Sequence, residues 1–212
     1  MRRRMTDETI KEGREQVPPP GAKSEKSVVR QYAEAVIIAV ILALVIRSFV
    51  IQAFKIPSGS MLQTLQIGDH ILVNKFLYWF TGVQQGDIIV FKFPQDEGRD
   101  FIKRVVALPG EKVEVRGKQV YVNDNPLTEP YTVHLDPVLL DNPGSSRDNF
   151  GPVMVPPGQL FMMGDNRDYS MDSRFWGFLD MKKIKGKAFI IYWSWDHERF
   201  RPRWDRIGML VR

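Results

Sequence analysis

The chain has 212 residues, 43% of them hydrophobic, with no cysteine and a net charge of +5. That length accommodates one membrane segment and one domain with a buried core. The absence of cysteine excludes a disulfide framework, a zinc–thiolate site and a cysteine nucleophile.

Residues 1–30 carry 8 Lys/Arg against 5 Asp/Glu, so the basic excess lies largely ahead of the one long apolar run. This suits a cytoplasmic flank and not a nucleic-acid-binding face, and no nucleic acid is expected as a partner. Residues 1–28 are polar, with PPPG at 18–21, and read as a cytoplasmic N-terminal tail. The run that follows lacks amphipathic periodicity, and a transmembrane helix is expected at 29–50. Its charge-free core, 35–46, has only 12 residues against the roughly 20 that span a bilayer. Glu34 and Arg47 at its ends can snorkel toward the headgroups. Four Lys/Arg lie in 14–33 and two in 47–66, which places the amino terminus in the cytoplasm and residues 51–212 outside.

Beyond the span the pattern changes to strands, expected at 71–74, 88–93, 101–107, 113–116, 119–123, 160–163 and 187–195. KVEVRGKQVYVND, 112–124, alternates Val and Tyr to either side of Gly117, a hairpin signature. Residues 128–158 are rich in Pro, Asp, Asn and Gly and read as a loop-rich insertion without a long strand or helix. A mostly antiparallel β domain results.

The chemistry centres on FKIPSGSMLQTLQIGD, 54–69. Pro57 and Gly59 permit a sharp bend that presents Ser58 and Ser60. Met61 and Leu65 are the apolar residues beside that bend. A serine hydroxyl needs a base to become a nucleophile. His70, His134 and His197 stand in no metal-ligand spacing, so neither a metal site nor another cofactor is expected. Lys103 in RDFIKRVVALPG is the better candidate for the base, beside the plain reading of a lysine snorkelling out of a strand edge. On an extended strand Phe101, Lys103 and Val105 share one face, and Ile102 and Arg104 the other. Apolar neighbours would lower the lysine pKa and leave a neutral amine able to accept the serine proton.

A third motif, MGDNRDYSMDSRFWG at 163–177, completes a pattern. With PSGSM, the GD-x-ILV-x-KF run at 68–76, GDIIVF at 86–91 and FIKRVVALPG, the chain resembles the bacterial type I signal peptidases. These are membrane-anchored serine proteases that remove signal peptides from exported preproteins. The resemblance covers roughly 29–212. Self-cleaving repressors of the DNA-damage response are a second reading, but they carry a helix-turn-helix domain where this chain has its apolar run. A membrane-anchored β domain that only binds peptides is a third.

The resemblance implies a mostly β, antiparallel catalytic domain behind one N-terminal transmembrane helix. It implies Ser60 as nucleophile and Lys103 as general base. Ser58, with the Ser60 N–H, would form the oxyanion hole. Ser170 would orient the lysine amine, and Asp172 and Arg174 would form a supporting ion pair. Asp165, Asn166 and Arg167 look structural. The substrate would lie extended between 54–57 and 100–102, with Phe54, Ile56, Pro57, Met61, Leu65, Phe101 and Ile102 lining shallow pockets that favour a small-x-small motif before the cut. The implied partners are preprotein signal peptides and membrane phospholipid, in the bacterial inner membrane with the catalytic domain on the periplasmic side. Contact with a secretion translocon is compatible with that placement. One position departs from the family's habit: Gln63 stands where proline is common, which bears on the rigidity of the turn after Ser60.

Overall fold

The computed structural model describes residues 28–45, 50–140 and 145–212. Residues 1–27 of the expected tail, residues 46–49 of the expected span and residues 141–144 of the expected insertion lie outside the described residues, and Val28, the expected end of the tail, opens a helix.

Helix α1, Val28–Val45, is apolar on every face past Glu34, and its Val36, Ile37, Ile38, Val40, Ile41, Leu42 and Leu44 are all more than half exposed. Arg30 and Glu34 pair across one turn at 3.0 Å. Among the described residues no helix is long and apolar enough to cross a membrane, so the transmembrane helix expected over 29–50 is not met there. The described helix rises about 27 Å over its 18 residues at 1.5 Å per residue, and the Arg30–Glu34 pair occupies its first two turns.

The segment after α1 forms two antiparallel sheets. The larger uses β1 (Ile51–Lys55), β2 (Asp69–Asn74), β3 (Ile88–Phe93), β4 (Asp96–Ala107), β9 (Gln159–Met163), β10 (Leu179–Asp180) and β11 (Ile184–Asp196), in the order β1-β2-β11-β3-β4-β9-β10, with β12 (Arg201–Pro202) on β11. The smaller uses β5 (Lys112–Arg116), β6 (Gln119–Val122), β7 (Asn125–Pro126) and β8 (Phe150–Met154), in the order β7-β6-β5-β8. A short helix α2, Ser173–Trp176, follows β9 and is capped by the Asp172 carboxylate accepting from the Arg174 N–H.

Burial explains which strands read as continuous apolar runs. On β3, Ile88 and Val90 enter a core with Ile71, Val73 and Ile191, while Ile89 and Phe91 enter another with Leu160, Met162 and Leu179. A strand covered on both faces has no polar alternation to show. The β5–β6 hairpin turns at Gly117 and Lys118, both with positive φ (54° and 73°), the backbone that a tight two-residue hairpin turn requires. Its Val113, Val115, Val120 and Val122 pack on Val106, Phe161 and Met163, joining the small sheet to the large one.

Several boundaries differ from the sequence expectation. β4 begins at Asp96, five residues before the expected 101, because its polar, exposed first half is still laddered to β3. Within the expected insertion, Phe150–Met154 is a strand that pairs with β5, and residues 129–136 pack on the turn that follows β9. Both are held by backbone pairing that composition does not encode.

Candidate active site

The Ser60 turn is fixed at both ends. Past β1 the Ile56 N–H donates to Asp69 O at 2.8 Å and the Gly68 N–H to Ile56 O at 3.1 Å, closing the loop. Inside it the Leu65 N–H donates to Met61 O at 2.8 Å. Met61 and Leu65 are wholly buried and Ile56 nearly so, in the core with Ile71 and Val73. The apolar residues on either side of the serine therefore anchor the turn from beneath. Ile56, Met61 and Leu65, expected as substrate contacts, are not among the residues that line the Ser60 cleft described below. Phe54 is half-buried against the same core. The peptide bond between Leu62 and Gln63 is cis.

Lys103 lies on β4 opposite Ile89 of β3. Its Nζ is 2.5 Å from Ser60 Oγ and 5.6 Å from the Phe101 ring centroid. The side chain is only 3% exposed, and burial is the main cause pushing its pKa from an ordinary 10.5 down to about 8. Asp172 and Asp165 oppose that shift, and Arg174 adds to it.

Two buried ion pairs stand behind the pair. Arg174 donates Nε and Nη2 to Asp172, each at 2.9 Å, and Asp172 also accepts from the Gly164 N–H at 3.1 Å. Burial alone would raise the Asp172 carboxyl, but Arg174 and these hydrogen bonds outweigh it and hold the pKa below the usual carboxylate value. On the opposite face of β4 from Lys103, Arg104 grips Asp165 with two bonds of 2.8 and 2.7 Å. The Thr64 hydroxyl donates to the same carboxylate at 2.5 Å, tying it to the segment after Ser60.

Ser170 is buried against Gly164. Its hydroxyl is close enough to Asp172 to favour the charged carboxylate, yet it makes no full hydrogen bond, and none to Lys103. A Cβ on Gly164 would lie 2.3 Å from Ser170 Oγ and 2.4 Å from Ser60 O, so only glycine permits this approach.

The turn contributes a residue that sequence reasoning treated as merely structural. The Asn166 side-chain amide donates to Gly59 O at 3.0 Å and its backbone N–H to Ser60 O at 3.2 Å. The signal for it was its place in the same dense polar box as Ser170 and Asp172.

Ser58, Ser60, Phe101, Ile102, Lys103 and Asn166 line one cleft of about 610 Å³, with Pro57, Arg99, Tyr169 and Met171 also on its walls. A larger hollow of about 840 Å³ lies between Gln66 and the Asp196–Asp205 stretch, but it holds no nucleophile with a base. His197 lines that hollow, His70 packs on Tyr192, and His134 lies 3.7 Å from Asp168. Among the described residues none of the three hydrogen-bonds Ser60, and no group of three or more His, Asp or Glu is arranged to hold a metal ion.

A family model described as "Signal peptidase, peptidase S26" matches residues 29–193. The signal peptidase I of Leptolyngbya laminosa is 38% identical over 190 residues, covering 84% of this chain and 88% of its own length. That of Pseudomonas fluorescens is 33% identical, covering 85% and 78%, and that of Bacillus amyloliquefaciens 34%, covering 83% and 94%. With a hydroxyl and a buried amine meeting in an open cleft, and matches of this extent, the chain belongs to the signal peptidase family, peptidase S26, as a bacterial type I signal peptidase, a serine endopeptidase acting on the signal peptides of preproteins.

Proposed function

We propose that cleavage proceeds through Ser60 as nucleophile and a neutral Lys103 as general base. The observation that carries this is the 2.5 Å separation of Ser60 Oγ and a lysine amine that burial holds near pKa 8. Lys103 accepts the hydroxyl proton as Oγ bonds to the scissile carbonyl carbon. The resulting ammonium returns that proton to the departing amine as the C–N bond breaks, leaving an acyl-enzyme. A water, deprotonated by the regenerated amine, then releases the acid.

The Ser58 hydroxyl and Ser60 N–H are the proposed oxyanion donors. Among the described residues neither has a partner, so both are available to a developing negative charge. Ser170 is the proposed hydroxyl that orients the lysine amine, and the Asp172–Arg174 pair acts on Lys103 through its two charges.

Two free strand edges support an extended substrate. β1 ends the large sheet, and β4 pairs with β9 only from Arg104 onward, which leaves the edge at 100–102 open. Pro57 and Ile102 face the same cleft, so a peptide laid between them would gain main-chain hydrogen bonds on both sides. Phe101 and Ile102 leave shallow space that suits small residues at alternate positions, giving the small-x-small preference.

Membrane anchoring is the remaining part of the proposal. A helix apolar on every face is stable only when something apolar covers it, and lipid meets that need. Trp79 and Phe80 stand exposed in the loop after β2, free to meet a bilayer interface. Aromatic residues favour that interface. The amino terminus is then cytoplasmic and the catalytic domain lies on the far side of the inner membrane, where contact with phospholipid and with the translocon would follow. The test is incubation of the purified full chain with a preprotein and mass spectrometry of the products. A single cut after a small-x-small sequence, lost in Ser60→Ala and Lys103→Ala, is expected. Cleavage by either variant at the wild-type rate would overturn the reading.

A further inference from the structure

We infer that residues 129–136 are a strap that positions the nucleophile through Asn166, so that Glu129 and Tyr131 act on the reaction without touching substrate. This rests on the Ser60–Lys103 reading of the cleft.

The strap grips the turn after β9 at three successive points. At one end the Glu129 carboxylate takes two hydrogen bonds from the Arg167 guanidinium, both partners being almost fully buried. The same guanidinium donates Nε to Gly164 O at 3.1 Å. In the middle, Val133 brackets Asn166. The Val133 N–H donates to Asp165 O at 2.9 Å, and the Arg167 N–H donates to Val133 O at 3.1 Å. At the far end the Asp136 N–H donates to the Asp168 carboxylate at 2.8 Å, and Lys118 bonds both Asp136 O and that carboxylate.

Tyr131 adds a contact on the other side of the frame. Its ring lies 3.7 Å from the Arg104 guanidinium carbon, and its hydroxyl donates to Glu129 at 3.1 Å. Arg104 is the residue that holds Asp165, and Asp165 in turn holds Thr64, four residues after the nucleophile. The turn so gripped makes two hydrogen bonds to the Gly59 and Ser60 carbonyls, both from Asn166. The Ser60 backbone thus leans on Asn166, and Asn166 leans on the strap.

A backbone held this way sets the direction of Ser60 Oγ and of the Ser60 N–H, the two groups whose aim matters most when the carbonyl is attacked. Their misplacement by a fraction of an ångström lowers the rate of the chemical step and leaves substrate binding, which uses the strand edges, largely alone. Among the described residues no hydrogen bond or ring contact joins Lys103 to the strap, and the charges that shift it are those of Asp172, Asp165 and Arg174, so its titration is a built-in control.

The experiment compares Glu129→Gln, Tyr131→Ala and Tyr131→Phe in the full chain by steady-state kinetics on a preprotein, by pH–rate profile and by amide hydrogen exchange. Glu129→Gln and Tyr131→Ala should lower kcat by about 10- to 100-fold with KM within about twofold, because misaligned reacting groups cost rate more than binding. Tyr131→Phe, which keeps the ring over Arg104, should retain most of the activity. The acidic limb of kcat/KM should not move. The Asn166 amide should exchange faster while the amides of β3 stay protected. Wild-type kcat in Glu129→Gln and Tyr131→Ala would overturn the inference. So would a loss matched by faster exchange throughout β3 and β4, which marks a role in stability alone. If the unmodified chain fails to cleave, the dyad reading fails; the selective exchange at Asn166 is read without catalysis and judges the strap separately.

Discussion

The guanidinium of Arg174 and the carboxylate of Asp172 form a two-bond ion pair that is almost completely buried, and Lys103 feels both charges. Asp172 favours the lysine ammonium and Arg174 disfavours it. The pair is therefore a tuning device as well as a brace. Asp172→Asn removes the negative member, and the acidic limb of kcat/KM should move to lower pH as Lys103 loses its ammonium more easily. The same change should destabilise the fold by about 3–5 kcal/mol, since it leaves Arg174 buried and unpaired. A limb that moves to higher pH in Asp172→Asn would contradict this account of Lys103.

Removing either member of the reacting pair should cost nearly as much as removing both, because neither amine nor hydroxyl works alone. Ser60→Ala, Lys103→Ala and the double replacement should share one residual rate, measured by single-turnover cleavage. Lys103→Arg should be equally inactive, since a guanidinium stays charged and has no lone pair to accept the proton. A Lys103→Ala protein that retains substantial turnover would remove lysine from the chemistry.

Ser58 is exposed in the cleft beside Ser60. Ser58→Ala should lower kcat by about 10²–10³, the usual effect of a lost oxyanion donor. Ser58→Thr keeps the hydroxyl and should retain more activity. Kinetics on one preprotein distinguish the two, and equal rates for Ser58→Ala and the unmodified chain would take Ser58 out of the mechanism.

Trp79 and Phe80 are exposed at 72% and 74%. Replacing both with Ser should weaken cleavage of a preprotein embedded in vesicles and leave cleavage of a soluble peptide unchanged. The comparison of the two substrates in the full chain is the readout. Equal losses on both would place the aromatic pair in the fold and not at the bilayer.

Much of this was legible in sequence because the relevant information is local. The hairpin at Gly117 announces itself by alternation and a turn residue. Lys103 and the serine turn were not legible one by one, since each has a plain reading as a strand-edge lysine or a Ser/Gly turn, and the motifs taken together in chain order gave them their roles. Long-range pairing was not legible. Nothing local says that Arg104 reaches Asp165, or that Glu129 in a Pro-rich loop closes on Arg167, 38 residues on. The packing of Met61 and Leu65 was not legible for a related reason. Composition does not say what apolar residues next to a serine turn will touch, and in the folded chain Met61 and Leu65 pack against Ile71 and Val73. The first half of β4 was missed because its exposed polar side chains hide backbone pairing to β3 at Asp96 and Asp100.

The central claim is that Lys103 is neutral when it works. Its pKa in the folded protein, about 8, lies below the ordinary 10.5, so the folded state binds fewer protons than the unfolded state between those values. Stability should therefore rise with pH across that window. The full penalty, roughly 3 kcal/mol, applies below pH 8 and fades above 10.5. The most direct measurement is NMR titration of the ¹⁵N-labelled Lys103 amine in Ser60→Ala, set beside the acidic limb of kcat/KM for the unmodified enzyme. The account predicts a Lys103 midpoint near pH 8 that coincides with that limb. A midpoint near that of a free lysine, about 10.4, would contradict it.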